Sequence, residues 1–239
     1  MLVVLSLLST SAFADMQVEG NRIRVHYNDG GGWNSGSYGR GIDIGPDPGW
    51  AGTWRDVSYA GAPWQQLSIE FEQGGSPYSH SINHSGSTSL SPTLALDESD
   101  ASTKLVVHDY NVDSLQMSKT ETWGVDDQVM SIRFVLYNPT SDPATDIRLM
   151  HAVDPDQDSW IGYGASTNND VRGDGQYVRS TGPTTGWTFS YGNCDSADEL
   201  GVTSWSTDAD AGFSDPGGSS ADDTIHWRTR IDYLGPGET

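Results

Sequence analysis

The sequence predicts an all-β protein, an antiparallel β-sandwich of two packed sheets with few or no helices. Three observations favour this fold class. Apolar and polar residues alternate with a period of two in many short segments, turn signals rich in Gly, Asn, Asp and Pro separate these segments, and helical periodicity is nearly absent. Strands spaced in this way are typical of two antiparallel sheets that pack face to face.

The first strand candidates are Arg22–Tyr27, which ends at a glycine-rich turn, and Leu67–Glu72, which stops at Gly74. Three consecutive segments then predict an antiparallel meander because only short turns separate them. They are Thr103–Tyr110, Leu115–Trp123 and Val129–Tyr137. The later candidates are Asp146–Val153, Gln176–Ser180, Gly186–Tyr191 and Thr224–Tyr233, and acidic loops rich in Gly and Ser, such as 206–223, join several of them.

Residues 1–14 predict a secretory signal peptide. An apolar run from Leu2 to Leu8 precedes the small-residue ending Ala12-Phe13-Ala14, which has the pattern of a cleavage site. No other stretch approaches the ~20 apolar residues of a membrane-spanning helix, so we expect no membrane insertion. The protein is therefore expected to be exported, to the cell surface or the extracellular space, with the periplasm as an alternative.

Residues 15–239 show no linker that divides them, and we expect a single domain. The sequence stops in a turn, Gly235-Pro236-Gly237, so we also expect a further strand beyond Thr239 and a domain that is incomplete at its C-terminal end. The single cysteine, Cys194, excludes an internal disulfide, so packing of the core must hold the fold together.

Charge restricts the class of partner. The chain has 12 Lys and Arg against 33 Asp and Glu, a net charge of −21. Such a chain cannot neutralise the phosphates of a nucleic acid, and an anionic membrane surface would repel it. Cations and neutral sugars remain favourable partners.

The strongest functional signal is the run Asp154-Pro155-Asp156-Gln157-Asp158, directly after a predicted strand. Alternate residues of an extended chain share a face, and like charges crowded there repel one another unless a cation neutralises them. Calcium fits this role because it takes six to eight oxygen ligands. The alternative is an acidic surface loop, since a chain with 33 acidic residues contains such runs by chance.

A calcium site built on Asp154, Asp156 and Asp158 needs ligands from elsewhere in the chain. The run is not an EF-hand loop, because Ser159 and Ala165 occupy the positions of its Gly and its Glu. The nearest oxygen-rich segment contains Asn168 and Asp170, which a hairpin could bring back to the three aspartates. For the asparagine, an ordinary turn residue is the alternative interpretation.

Part of the chain resembles a known group of proteins. The stretch from Asp109 through Asn138-Pro139 to the run Asp154–Asp158, followed by Thr167–Asp170, is similar to β-sandwich modules of large secreted or surface proteins of bacteria. This resemblance implies an exported sandwich with an acidic, calcium-linked loop. It does not imply a particular activity.

Trp50, Trp54 and Trp64 fall within one stretch rich in Gly and Pro. Exposed indole rings form flat platforms that stack on sugars, whereas the same rings in a disulfide-free fold also fill a core. The three residues are therefore a possible sugar platform, with core packing as the alternative.

The motifs of nucleophile elbows, zinc proteases, phosphate loops and dinucleotide sites are absent from the sequence, and we name no catalytic residue. We predict a non-catalytic, calcium-stabilised module of a secreted or surface protein that serves adhesion or the assembly of a matrix. Its partner would be an extracellular polysaccharide or another surface protein. The alternatives are a carbohydrate-binding module and a polysaccharide-acting enzyme domain. The sequence does not predict the oligomeric state.

Overall fold

The structure is a computed structural model of the chain, and it describes residues 15–33, 40–47, 53–58, 64–82, 90–159, 162–173, 175–195, 198–204, 206, 208–210 and 220–239. The predicted signal peptide and Trp50 lie outside the described residues. Within them, none forms a helix that is long and apolar enough to cross a membrane.

The described part of the chain is built from β-strands. In chain order they are β1 (Met16–Glu19), β2 (Ile23–Tyr27), β3 (Ile42–Asp47), β4 (Thr53–Asp56), β5 (Trp64–Gln73), β6 (Ser76–Ile82), β7 (Pro92–Asp97), β8 (Thr103–Val112), β9 (Leu115–Gly124), β10 (Ser131–Tyr137), β11 (Ala144–Asp154), β12 (Thr167–Arg172), β13 (Tyr177–Thr181), β14 (Thr188–Gly192), β15 (Glu199–Thr203), β16 (Ser220–Ala221) and β17 (Thr224–Leu234).

These strands form four antiparallel sheets. Sheet 1 has the order β1-β2-β3-β4, and sheet 2 has the order β10-β9-β8-β7. Sheet 3 has the order β15-β17-β11-β5-β6, and sheet 4 has the order β14-β13-β12-β16. Sheets 1 and 2 use consecutive strands, whereas sheet 3 collects strands from distant parts of the sequence.

The all-β prediction is confirmed, since strands make up 61% of the described residues and no helix is found among them. The predicted two-sheet sandwich is not clearly present, because four small sheets are arranged like a four-bladed propeller. The period of two along a strand fixes which of its faces is buried, but it does not fix which other strand pairs with it. Alternation therefore predicted the strands without predicting how many sheets they form.

Two groups of buried apolar side chains form the interior. The first contains residues of all four sheets, with Tyr27, Trp33, Trp123, Val153 and Tyr191 among them. The second lies between sheets 2 and 3 and joins strands β8, β9 and β10 to strands β5, β6, β11 and β17. Sheets 2 and 3 thus face each other across a core of their own.

A chain of buried hydrogen bonds begins on sheet 2 and leads toward sheet 3. Lys119 Nζ donates to the carbonyl oxygen of Gly31 over 2.7 Å and lies 3.3 Å from Glu121 Oε2. The other oxygen of Glu121 accepts a hydrogen bond from the indole nitrogen of Trp33. Both charged side chains are fully buried, so each needs the other as its counter-charge.

The chain continues through Gln65 of β5 and His151 of β11 to Tyr191 of sheet 4. Gln65 Oε1 accepts from the backbone N–H of Trp33 over 2.6 Å, so Gln65 Nε2 donates to His151 Nε2 over 2.5 Å. His151 Nδ1–H then donates to the hydroxyl of Tyr191 over 2.9 Å. Burial, with the nearby charge of Lys119, lowers the pKa of His151, which keeps the ring neutral in this arrangement.

Strand β11 is central to sheet 3 and pairs with β5 on one side and β17 on the other. Val153 lies opposite Ile225 of β17, so the end of β11 meets the beginning of β17. In sheet 4, Thr167 of β12 lies opposite Ala221 of β16, the residue directly before Asp222. The two pairings bring the end of β11 and the junction of β16 and β17 to one place.

Candidate metal centre

Three carboxylates meet where β11 ends and β17 begins. Asp154 is the last residue of β11, Asp156 follows two residues later, and Asp222 lies between β16 and β17. One carboxylate oxygen from each of them lies within 4.8 Å of the other two. We call these three residues the acidic triad.

The acidic triad runs from the interior to the surface. Asp156 has 3% of its surface exposed, Asp154 is half-buried and Asp222 is exposed. Asp156 Oδ1 is buried without a hydrogen-bond partner among the described residues. The neighbouring charges that act most strongly on Asp154 and Asp156 are those of other carboxylates, so the triad concentrates negative charge.

Burial and mutual repulsion raise the pKa of two members of the triad. Burial, followed by the charges of Asp222 and Asp223, raises the pKa of Asp154 to about 7. Burial, followed by the charges of Asp154, Asp222 and Asp56, raises the pKa of Asp156 to about 8. Near neutral pH, these carboxylates must either take up protons or bind a cation.

Asp56, at the end of β4, adds to the negative potential without belonging to the triad. Burial and the charge of Asp43 raise its pKa to about 7, although its hydrogen bonds partly oppose that shift. Asp56 Oδ1 accepts from the backbone N–H and the hydroxyl of Ser58 over 3.0 and 2.8 Å. Its other oxygen accepts from the N–H of Gly41 over 3.3 Å. Hydrogen bonds from residues next to β3 and β4 thus hold the Asp56 carboxylate in place.

Asp158, which the sequence predicted as a ligand, is not part of the triad. Its carboxylate accepts hydrogen bonds from the backbone N–H groups of Thr184 and Thr185, over 2.6 and 3.1 Å, and from the hydroxyl of Thr185 over 2.5 Å. Gly182 leaves room for this contact, because a Cβ atom there would lie 2.7 Å from Thr185 Oγ1 and closer still to Asp158. Asp158 therefore ties the turn after β11 to the β13–β14 hairpin.

The predicted ligands Asn168 and Asp170 lie in β12 rather than in a turn. Asn168 is opposite Ser220 of β16, so this segment does return to the neighbourhood of Asp222. Asp170, however, forms ion pairs with Arg179, over 2.8 Å, and with Arg172. These bonds outweigh the effect of burial and lower the pKa of Asp170. The structure therefore does not bring Asp170 into the triad, and Asn168 is a strand residue beside it.

The possible sugar platform can be placed only in part. Trp54, in β4, is half-buried, and the guanidinium of Arg24 lies 4.7 Å from the centre of its ring. One face of this indole is therefore covered by a cation. Strand β5 begins at Trp64, but the side chain of Trp64 and the whole of Trp50 lie outside the described residues.

Asp222 is the member of the triad that is not predicted from the sequence, because it lies at the end of the predicted acidic loop 206–223. A signal was nevertheless present. Asp222 and Asp223 come directly before the predicted strand Thr224–Tyr233, while Asp154 comes directly after the predicted strand Asp146–Val153. If those two strands pair in antiparallel order, the acids at the end of one meet the acids at the start of the other.

A separate groove lies between the β12–β13 turn, the end of β14 and the start of β15. This open groove has a volume of about 980 Å³, and its lining includes Gln176, Tyr177, Asn193, Glu199 and Arg228. Tyr177 has 40% of its surface exposed. The groove therefore combines one accessible aromatic ring with several hydrogen-bonding groups.

The acidic triad offers carboxylate oxygen alone, which suits hard cations such as magnesium, calcium and manganese rather than zinc or copper. No family model matches the chain, and the comparison with curated proteins found no match.

Proposed function

We propose that the acidic triad binds calcium, and that the chain is a non-catalytic module of a secreted or surface protein that serves adhesion or matrix assembly. The observation that carries the proposal is the distance within the triad. Calcium binds oxygen at about 2.3–2.6 Å, so two ligands of one ion lie at most about 5 Å apart. The three oxygens lie within 4.8 Å of one another, which satisfies this limit.

Calcium is favoured over magnesium by the shape of the site. Magnesium requires a near-octahedral arrangement at short distances and keeps several of its waters, whereas calcium accepts irregular sets of carboxylates. Asp154 lies at a strand end, Asp156 in a turn and Asp222 in a short connection between strands. Asp156 is buried, whereas Asp222 is exposed. Such an irregular set suits calcium.

A bound cation would connect three parts of the fold. It would fix the end of β11 to the start of β17, and the turn containing Gln157 and Asp158 would extend this link to sheet 4. In this proposal, sheets 2 and 3 with their shared core act as the sandwich-like body of the module. Calcium at 100 times its dissociation constant would add about 2.7 kcal/mol to the free energy of unfolding.

Thermal unfolding of the purified chain in calcium, magnesium or a chelator tests this proposal. We expect calcium to raise the Tm, magnesium to raise it less, and Asp222→Asn to remove the calcium effect. Asp232→Asn, on an exposed position of β17, is the matched control because it removes the same charge at a distance from the triad. A wild-type Tm that is equal in calcium and chelator would contradict the calcium site.

The adhesive role needs its own measurement. Binding of the chain to extracellular polysaccharide and to surface protein extracts should be compared in calcium and in chelator. We expect retention that depends on calcium and that Asp222→Asn abolishes. Equal retention in calcium and in chelator would show that adhesion does not depend on the cation site.

Carbohydrate binding is the second candidate function, and the groove at Tyr177 favours it. An exposed aromatic ring beside amide, carboxylate and guanidinium groups can stack on a sugar and hydrogen-bond to its hydroxyls. A glycan array with the wild type and Tyr177→Ala tests this function. Tyr233→Ala is the control, because Tyr233 is also exposed but does not line the groove.

The enzyme alternative draws support from the raised pKa values of Asp154 and Asp156, since a glycosidase acid needs a raised pKa. Against it stands the burial of Asp156, which leaves 3% of the residue accessible to a polymer. Polysaccharide hydrolysis that Asp154→Asn abolishes would favour the enzyme over the non-catalytic module.

A further inference from the structure

Buried polar atoms without partners lie between the acidic triad and sheet 4. Gln157 Oε1, Asn169 Nδ2 and Ser180 Oγ have no hydrogen-bond partner among the described residues, and all three residues are fully buried. Each buried polar group left unpaired destabilises the folded state. Native proteins avoid this cost by pairing such groups with protein atoms or with ordered water.

The three atoms come from neighbouring positions. Gln157 Nε2 donates to the backbone oxygen of Ser180 over 2.9 Å, so the carboxamide of Gln157 lies against β13. Asn169 of β12 is directly opposite Ser180, and residues opposite each other in an antiparallel pair have Cβ atoms about 4.5–5.5 Å apart on the same face. From these contacts, the unpaired atoms of all three side chains are expected to border one small region.

The chemistry of this region is defined by bonds that already exist. Asn169 Oδ1 accepts from the hydroxyl of Thr167 over 3.0 Å, which leaves its NH₂ group as the free donor. Gln157 uses its NH₂ group on Ser180, which leaves its oxygen as the free acceptor. The hydroxyl of Ser180 can donate or accept. One donor, one acceptor and one hydroxyl match a water molecule, which typically makes about three hydrogen bonds in a buried site.

We propose that ordered water occupies the region bordered by Gln157, Asn169 and Ser180 and joins the turn that carries Asp156 to sheet 4. A cation is disfavoured there because the N–H of Asn169 faces the region as a donor. The water would hold Gln157, and with it the turn next to Asp156, in one position. Its effect on calcium affinity rests on the proposed function, whereas its presence does not.

The direct test is a crystal structure of the chain at a resolution that shows ordered water, determined in calcium and in chelator. We expect water within hydrogen-bonding distance of Gln157 Oε1 and Ser180 Oγ in both conditions. If these atoms bond directly to protein groups, or if the region contains no water, the inference is wrong. Because the chelator structure contains no calcium, this result is independent of the cation site.

Ser180→Ala provides a second test, measured in chelator. If the hydroxyl of Ser180 were simply unpaired, its removal would relieve a buried polar group and raise the Tm. If it holds water, its removal takes away one of the bonds of that water, and we expect the Tm to fall by about 2–5 °C. Ser190→Ala, at an exposed position of β14, is the matched control. A Tm that rises or does not change in Ser180→Ala would overturn the inference.

The calcium arm separates the two proposals. If the wild type binds calcium, we expect Ser180→Ala to weaken the affinity about 10-fold, because groups that orient a ligand typically contribute 10–100-fold. An unchanged affinity would show that the water does not support the triad. If the wild type shows no binding by calorimetry, the calcium function fails, while the chelator measurements still decide whether the water is present.

Discussion

Replacing Asp156 by Asn should stabilise the cation-free protein and remove its response to calcium. The pKa of Asp156 is raised from 3.8 to about 8 by burial and by three neighbouring carboxylates. The folded state therefore holds the proton of Asp156 more tightly than the unfolded state does. Asp156 therefore contributes fully to the free energy of unfolding below pH 4, where it is protonated in both states. This contribution is lost as the pH rises toward 8.

The size of the effect follows from the two pKa values. At pH 7 the carboxyl of Asp156 has lost its proton in the unfolded state, whereas most folded molecules retain it. Between the unfolded pKa of 3.8 and pH 7, an interval of about 3 pH units, the unfolded state therefore gains stability relative to the folded state. At 1.36 kcal/mol per unit this interval corresponds to about 4 kcal/mol, and sharing of the proton among coupled carboxylates reduces it to about 2–4 kcal/mol. Asn has no proton to lose on unfolding, so the variant keeps this stability. At pH 5 the gain shrinks to about 1–2 kcal/mol.

Thermal and urea unfolding in chelator at pH 5 and pH 7 measure this gain. For a chain of this length, 2–4 kcal/mol corresponds to a rise in Tm of about 5–15 °C. In calcium the advantage of Asp156→Asn in Tm should shrink or reverse, because calcium stabilises the wild type and does not stabilise the variant. A Tm of Asp156→Asn below that of the wild type in chelator, or a gain in Tm larger at pH 5 than at pH 7, would contradict a raised pKa at Asp156. Asp232→Asn should show neither effect.

Three further substitutions test the surroundings of the triad and the core. Asp158→Ala should lower the free energy of unfolding by about 2–4 kcal/mol in urea, equally in calcium and chelator, because it removes charge-assisted bonds to the β13–β14 hairpin. Gly182→Ala should cost about 1–3 kcal/mol because its Cβ would press on Asp158, and it should cost less in the Asp158→Ala background, as a double-mutant cycle would show. Lys119→Met should cost about 3–5 kcal/mol by leaving Glu121 buried without its counter-charge, and adding Glu121→Leu should restore most of that loss in the same assay.

Strand positions could be predicted from the sequence because alternation and turn residues act locally. The predicted meander Thr103–Tyr110, Leu115–Trp123 and Val129–Tyr137 is β8, β9 and β10, in consecutive antiparallel order. Likewise, the segment predicted to end at Val153 is β11, which ends one residue later at Asp154. In each case short turns and a period of two are enough to define the element.

The composition of the triad could not be predicted because it depends on pairing between distant strands. Asp156 and Asp158 are the same residue type two positions apart, yet one joins the triad and the other is bound by Thr184 and Thr185. The two residues differ because the β13–β14 hairpin of sheet 4 lies next to Asp158 and binds its carboxylate. Asp222 enters the triad only because β17 pairs with β11, a choice that the alternation pattern of neither strand specifies.

The same pairing has a consequence for kinetics. Asp154 and Asp222 are far apart in the sequence, and their carboxylates come together only after β11 and β17 have paired. Contacts between distant segments are slow to form because the chain must first close a long loop. A cation that needs both residues would therefore bind only after these two strands have paired. We expect calcium to leave the refolding rate unchanged and to slow unfolding, so that the bound ion would lengthen the lifetime of the native state rather than shorten the time needed to reach it.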